Sequence, residues 1–163
     1  MKSVLAISGF AALALSNPAF AAEWTVGSDT NPIDDSVTVS ASIDSNEIIP
    51  GDTEKSLLMI GCLKGEPSVF IYTGRDIQYP EAVDYRVDKN PAEKIGASNF
   101  KGNLVIEGPN VEPFLRRISA GKDLVVQAIP YSGPMVTVSF SLEGFAKAVE
   151  PVATACKIRG LGK

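Results

Sequence analysis

Ser56-Leu57-Leu58-Met59-Ile60-Gly61-Cys62-Leu63 carries apolar side chains at both parities, through Leu57, Leu58, Met59, Ile60 and Leu63. A strand of this kind is expected to be central and covered on both faces. Upstream, Ser36 to Ile43 alternates instead. Val37, Val39, Ala41 and Ile43 point one way, and Thr38, Ser40 and Ser42 the other, so one face is buried. The polar stretch 44–55 between the two contains the turn signal Pro50-Gly51. Downstream, Lys64-Gly65-Glu66-Pro67 leads into Ser68 to Thr73, where Val69 and Ile71 oppose Phe70 and Tyr72, a spacing that predicts a hairpin.

The same reading extends to both ends. Trp24-Thr25-Val26 reads as a short strand followed by a polar turn over Gly27 to Pro32. Gly74 to Ala82 reads as a loop, Val83 to Asp88 as a short strand, Lys89 to Gly102 as a long loop with Pro91, and Asn103 to Glu107 as a further strand. Val111, Phe114, Leu115 and Ile118 recur at helical spacing over Val111 to Ala120, with Pro113 tolerable in the first turn, Arg116-Arg117 on the solvated side and Gly121 as terminator. Asp123 to Pro130 and Val136 to Ser141 predict two strands around Tyr131-Ser132-Gly133-Pro134. Leu142, Phe145, Val149, Val152 and Cys156 then predict a terminal helix with Ser141 as its cap, bent or restarted at Pro151. Seven or eight short strands, one inserted helix and one terminal helix indicate a mainly β or α+β chain. The expected architecture is a single antiparallel β-sandwich-like domain with the last helix packed across the sheet.

Residues 1–21 read as a signal peptide: Lys2, an apolar run from Val4 to Leu15, the breaker Pro18 and an A-x-A site at Ala19-Phe20-Ala21. The run is short of the roughly 20 residues a membrane-spanning helix requires. Residues 22–163 are then expected as one exported, periplasmic or secreted domain. Export gives the two cysteines their meaning, because an oxidising compartment favours a Cys62–Cys156 bridge. Closing a loop of about 100 residues removes roughly 4–5 kcal/mol of chain entropy from the unfolded state. A reactive thiol or a metal thiolate is supported by neither a histidine nor a C-x-x-C spacing.

The 163 residues include 15 Lys+Arg, 19 Asp+Glu and no histidine, a formal net charge of -4. An acidic chain is a poor nucleic-acid partner, since phosphate binding needs clustered cations. The missing imidazole excludes Ser-His-Asp and Cys-His nucleophiles, His-ligated zinc and His-ligated haem. Asp34-Asp35-Ser36 lacks the D-x-D-x-D-G spacing of a calcium loop and reads as a turn. Arg86 and Asp88, two apart, are expected on one strand face, as a surface ion pair or a recognition pair for a carboxylate or sugar. Ser98 and Lys101 match S-x-x-K, and Thr53 and Lys55 lie close together, both in polar loops with no orienting partner motif. No catalytic or metal-binding residue and no cofactor is assigned. Asp34, Asp35, Arg86 and Asp88 form the candidate recognition surface.

Trp24 after the signal peptide, Asn31-Pro32-Ile33-Asp34-Asp35-Ser36 leading into Val37-Thr38-Val39, Gly61-Cys62-Leu63, Tyr85-Arg86-Val87-Asp88, and Phe140-Ser141-Leu142-Glu143-Gly144-Phe145 with Ala148 and Cys156 occur in that order. Together they resemble the VasI/TagO-like family, periplasmic proteins associated with type VI secretion gene clusters. Gly61 and Lys157 differ from the residues usual beside the two cysteines there, so the likeness is to a diverged member. The resemblance implies a non-catalytic accessory or binding module whose partner is another envelope or periplasmic protein. An inhibitor or immunity-like protein blocking an enzyme through Gly74 to Ala82 or Lys89 to Gly102, and a carboxylate-based hydrolase, are the other functional expectations.

Overall fold

A computed structural model describes residues 23–78 and 82–162. The expected signal peptide and the cleavage site after Ala21 lie outside the described residues. Among the described residues, ten strands form two antiparallel sheets. The larger has the order β1 (Thr25–Thr30), β2 (Val37–Ile48), β3 (Lys55–Leu63), β4 (Glu66–Tyr72), β8 (Asn103–Glu107) and β7 (Ser98–Phe100). The smaller runs β10 (Val136–Ser141), β9 (Asp123–Ala128), β5 (Ala82–Val87) and β6 (Glu93–Gly96). The described residues also form two α-helices, α1 (Val111–Ile118) and α2 (Phe145–Ala155).

The two sheets pack face to face, as expected of a β-sandwich. Alternation decides which side chains meet. Ala41 and Ile43 of β2, Leu58 and Ile60 of β3, Val69 and Ile71 of β4, and Leu104 and Ile106 of β8 are buried on one face of the larger sheet. Val83, Tyr85 and Val87 of β5, Leu124 and Val126 of β9, and Val138 and Phe140 of β10 oppose them in the same core. Helix α1 buries its expected stripe, Val111, Phe114, Leu115 and Ile118, and its Phe114 meets Tyr85 edge-on at 5.1 Å between ring centres. Helix α2 lies on the larger sheet, against β1, β2 and β3. Cys62 and Cys156 are bonded, with a Cα separation of 5.7 Å. A chemical bond therefore fixes the terminal helix to the buried face of β3.

Several expectations are corrected. The β3 segment is covered on one face only: Leu57 and Met59 are half-buried and Leu63 is exposed, because both helices and the smaller sheet lie on the other side. Lys89 to Gly102 is not a loop. It folds into β6 and β7, short edge strands whose polar side chains hide a ladder made by backbone groups. Gly27 to Pro32 is not a turn over its whole length, since β1 continues to Thr30 in register with β2. Ser141 ends β10 rather than capping α2; its hydroxyl accepts from the Glu143 backbone N–H, and the helix begins after Gly144, whose φ of 78° suits glycine. Pro151 sits inside α2 without dividing it.

Candidate functional site

The four residues of the expected recognition surface fall in three separate places. Asp34 and Asp35 lie in the β1–β2 turn. The Asp34 carboxylate accepts from the Ser36 hydroxyl at 2.6 Å and the Ser36 backbone N–H at 3.1 Å, and pairs with Lys64 at 2.7 Å. Those donors, Lys64 foremost, hold its pKa below the ordinary aspartate value. The Asp35 N–H donates to the Asn31 carbonyl at 2.9 Å, closing the turn.

Arg86 and Asp88 are not a same-face pair. β5 ends at Val87, and Asp88 takes a left-handed φ of 54° that turns its side chain toward the start of β9. There its carboxylate accepts the Lys122 and Asp123 backbone N–H groups at 2.8 and 3.0 Å, which lower its pKa. Asp88 is a connector between strands. Arg86 stays on the outer face of the smaller sheet, beside Asp84, Val125, Gln127 and Thr137, in a shallow concavity of about 210 Å³. The structure thus joins neither pair to the other. Among the described residues, no group of three or more His, Cys, Asp or Glu side chains is placed to hold a metal ion.

What the chain does bring together is a set of loops at one end of the sandwich. Segment 73–78 is their junction. Arg75 pairs with Asp52 of the β2–β3 loop at 3.1 Å, both side chains mostly buried, and donates to the Pro50 carbonyl at 3.2 Å. The Thr73 hydroxyl donates to the Arg75 carbonyl at 3.1 Å. On the other side, the Tyr131 N–H donates to the Asp76 carbonyl at 3.0 Å and the Gln78 N–H to the Ile129 carbonyl at 2.9 Å. The Gln78 side chain reaches the Pro130 carbonyl at 3.2 Å. The β7–β8 turn joins as well, with the Ile77 N–H donating to the Gly102 carbonyl at 3.1 Å and the Asn99 amide to the Ile77 carbonyl. Ile77 itself is buried and anchors the junction in the core.

This bracing lets the β9–β10 loop hold large side chains outward. Ile129, Tyr131 and Met135 are 59%, 57% and 57% exposed. Ile129 and Met135 line one depression, and burial of such large apolar groups by a partner is favourable at about 25 cal/mol per Å². The sequence marked 131–134 as a connection through Gly133-Pro134, but nothing in it showed that 73–78 would clamp that connection from across the fold.

A second arrangement escaped the sequence reading. The Tyr85 hydroxyl donates to Glu93 at 3.0 Å, and Arg117 grips the same carboxylate at 2.8 and 2.5 Å. Burial, then the Glu93 hydrogen bond, pushes the Tyr85 pKa up to about 12, while Tyr85 and Arg117 lower that of Glu93. Arg117 therefore ties α1 to β6. Arg116 pairs with Glu112 one turn earlier at 2.6 Å and donates to the Arg159 carbonyl at 2.7 Å, tying α1 to the C-terminal tail. Compared with known proteins, the chain matches no family model, no curated protein and no solved structure.

Proposed function

We propose that the chain is a non-catalytic, exported binding or accessory module that acts by contact with another protein of the cell envelope. The braced loop end carries this reading: Ile129 and Met135 stand outward on a loop whose backbone is tied to segment 73–78, itself held by the β2–β3 loop and the β7–β8 turn. Such a surface pays little ordering entropy when a partner covers it, which is what a contact module needs. The disulfide supports an oxidising, extracytoplasmic setting.

Three of the carboxylates are poorly suited to the protonated acid of a hydrolase. Asp34, Asp88 and Glu93 each have a pKa held down by donors. Glycoside cleavage needs at least one acid whose pKa is pushed up. The resemblance to VasI/TagO-like proteins extends the proposal to type VI secretion, where the module would serve the assembly from the periplasm.

The test is crosslinking in the periplasm followed by affinity capture, comparing the native chain with Ile129→Asp and Met135→Asp. One defined envelope protein should be captured by the native chain and fall at least tenfold with either variant. An identical captured set from all three chains overturns the loop end as the contact surface. Deleting the gene should impair contact-dependent killing; unchanged killing and secretion remove the type VI association and leave the contact reading standing. An enzyme recovered as the partner, and inhibited by the native chain but not by Met135→Asp, turns the module into an inhibitor.

A further inference from the structure

The four sheet edges are not alike. β7 is three residues long, and β6 is four residues with Glu93 and Lys94 engaged by Arg117 and Asp84. β10 lies against the far half of β2, where the Asn46 amide donates to the Ser139 hydroxyl at 3.2 Å. Edges of these kinds are blunted against further pairing. β1 has none of those devices. Its six residues, Thr25-Val26-Gly27-Ser28-Asp29-Thr30, are all exposed and pair with β2 in unbroken register from Thr25↔Ser42 to Thr30↔Val37. They contain no proline, lysine or bulge. Among the described residues β1 has one strand neighbour, so about three N–H and three C=O groups face outward along its free side.

A groove accompanies that edge. Val26 pairs with Ala41 and so points toward the side on which α2 lies. Between β1 and the first turn of α2 is a depression of about 480 Å³, lined by Trp24, Val26, Gly144, Lys147 and Ala148 among others. Trp24 stands edge-on to Phe145 at 5.4 Å. Gly144 borders the indole, and a Cβ there would lie 3.7 Å from Trp24 Cδ1, an ordinary contact, so it is the φ of 78° that calls for glycine. The indole N–H is buried and has no acceptor among the described residues. An open strand edge beside a helix, with an apolar groove between them, is the geometry in which a peptide adds as a further strand and sets alternate side chains into the groove.

We infer that β1 and the groove beside α2 take an extended segment of another protein, paired to β1 as a seventh strand. It places a small apolar side chain against Trp24 and Val26 and carries Lys or Arg at alternate positions. Charge selects this occupant. Asp29 stands on the face of β1 opposite Val26, where the alternate side chains of an added strand fall, and around the groove mouth Glu23 and Glu143 outnumber Lys147. A second copy of β1 does not meet this requirement, because Asp29 is its one charged residue and it offers no cation at any position. The site is separate from the loop end and does not depend on it.

Trp24 is the single tryptophan of the chain, so its fluorescence reports this groove alone. The exported chain, purified from periplasm, is titrated with three eight-residue probes: alternating Val-Lys, alternating Val-Glu, and the Val-Lys peptide N-methylated on every second amide. The Val-Lys peptide should shift Trp24 emission saturably. The Val-Glu peptide and the N-methylated peptide should bind at least tenfold more weakly. Val26→Lys, at an exposed position, should weaken Val-Lys binding at least tenfold, whereas Met135→Asp should leave it unchanged. No saturable shift with the Val-Lys peptide, or equal binding of the N-methylated peptide, overturns strand addition. Equal binding of the acidic peptide overturns the charge selection. Dimerisation in ultracentrifugation that Val26→Lys abolishes would make the edge a self-interface and overturn the heterologous occupant.

Discussion

Gly121 follows α1, and its φ is not in the left-handed region, so conformational freedom is not the reason for glycine there. Space is. A Cβ at that position would overlap Cγ1 of Val87, a buried and β-branched residue with no flexible end to move aside. Gly121→Ala should therefore destabilise by about 1–3 kcal/mol, read as a lower urea midpoint at unchanged slope. The carboxylates make a second prediction at this scale. Asp34, Asp88 and Glu93 have folded pKa values below their ordinary values of 3.8, 3.8 and 4.5. Folding releases protons from such groups, so their contribution is complete above those values and fades as pH falls below them. Urea midpoints should drop between pH 5 and pH 3, and Asp88→Asn with Glu93→Gln should flatten that slope. None of these roles was legible in the residue types. Asp88 reads as a strand residue by alternation, and only its left-handed backbone shows that it turns to cap the start of β9.

At the scale of elements, periodicity worked where burial is one-sided. β2 and α1 alternate or recur because one face meets the core, and their buried residues are the ones the pattern marks. It stopped short at β1, which was expected only to Val26, and missed β6 and β7, where the side chains are polar or exposed. The opposite failure is β3, whose continuous apolar run predicted two covered faces. On its outer face Met59 lies beside Phe70 of β4, which in turn meets Phe100 of β7 edge-on at 6.5 Å. Helix α2 gives a direct test. Pro151 is exposed, lies in the helix interior and removes one backbone hydrogen bond. Pro151→Ala should raise the thermal midpoint, stabilising by about 1 kcal/mol once the greater freedom of the unfolded chain is subtracted.

Across the whole molecule, the bond from Cys62 to Cys156 spans 94 positions and joins the buried face of the larger sheet to the last helix. Replacing both cysteines with alanine should cost about 2–5 kcal/mol by urea unfolding, much of it through a less constrained unfolded chain. Because α2 forms one wall of the groove beside β1, the same double variant should also weaken Val-Lys peptide binding. The sequence by itself determined the sandwich class, the inserted and terminal helices and the two partners of the disulfide. Those follow from local periodicity, turn residues and a count of two cysteines. Only the tertiary structure decided which surface is available: the clamp of 73–78 on the β9–β10 loop, the triad of Tyr85, Glu93 and Arg117, and the open edge of β1 beside α2. Each is made by groups far apart in the chain. Local pattern carries no information about which distant backbone groups will be satisfied and which will be left facing solvent.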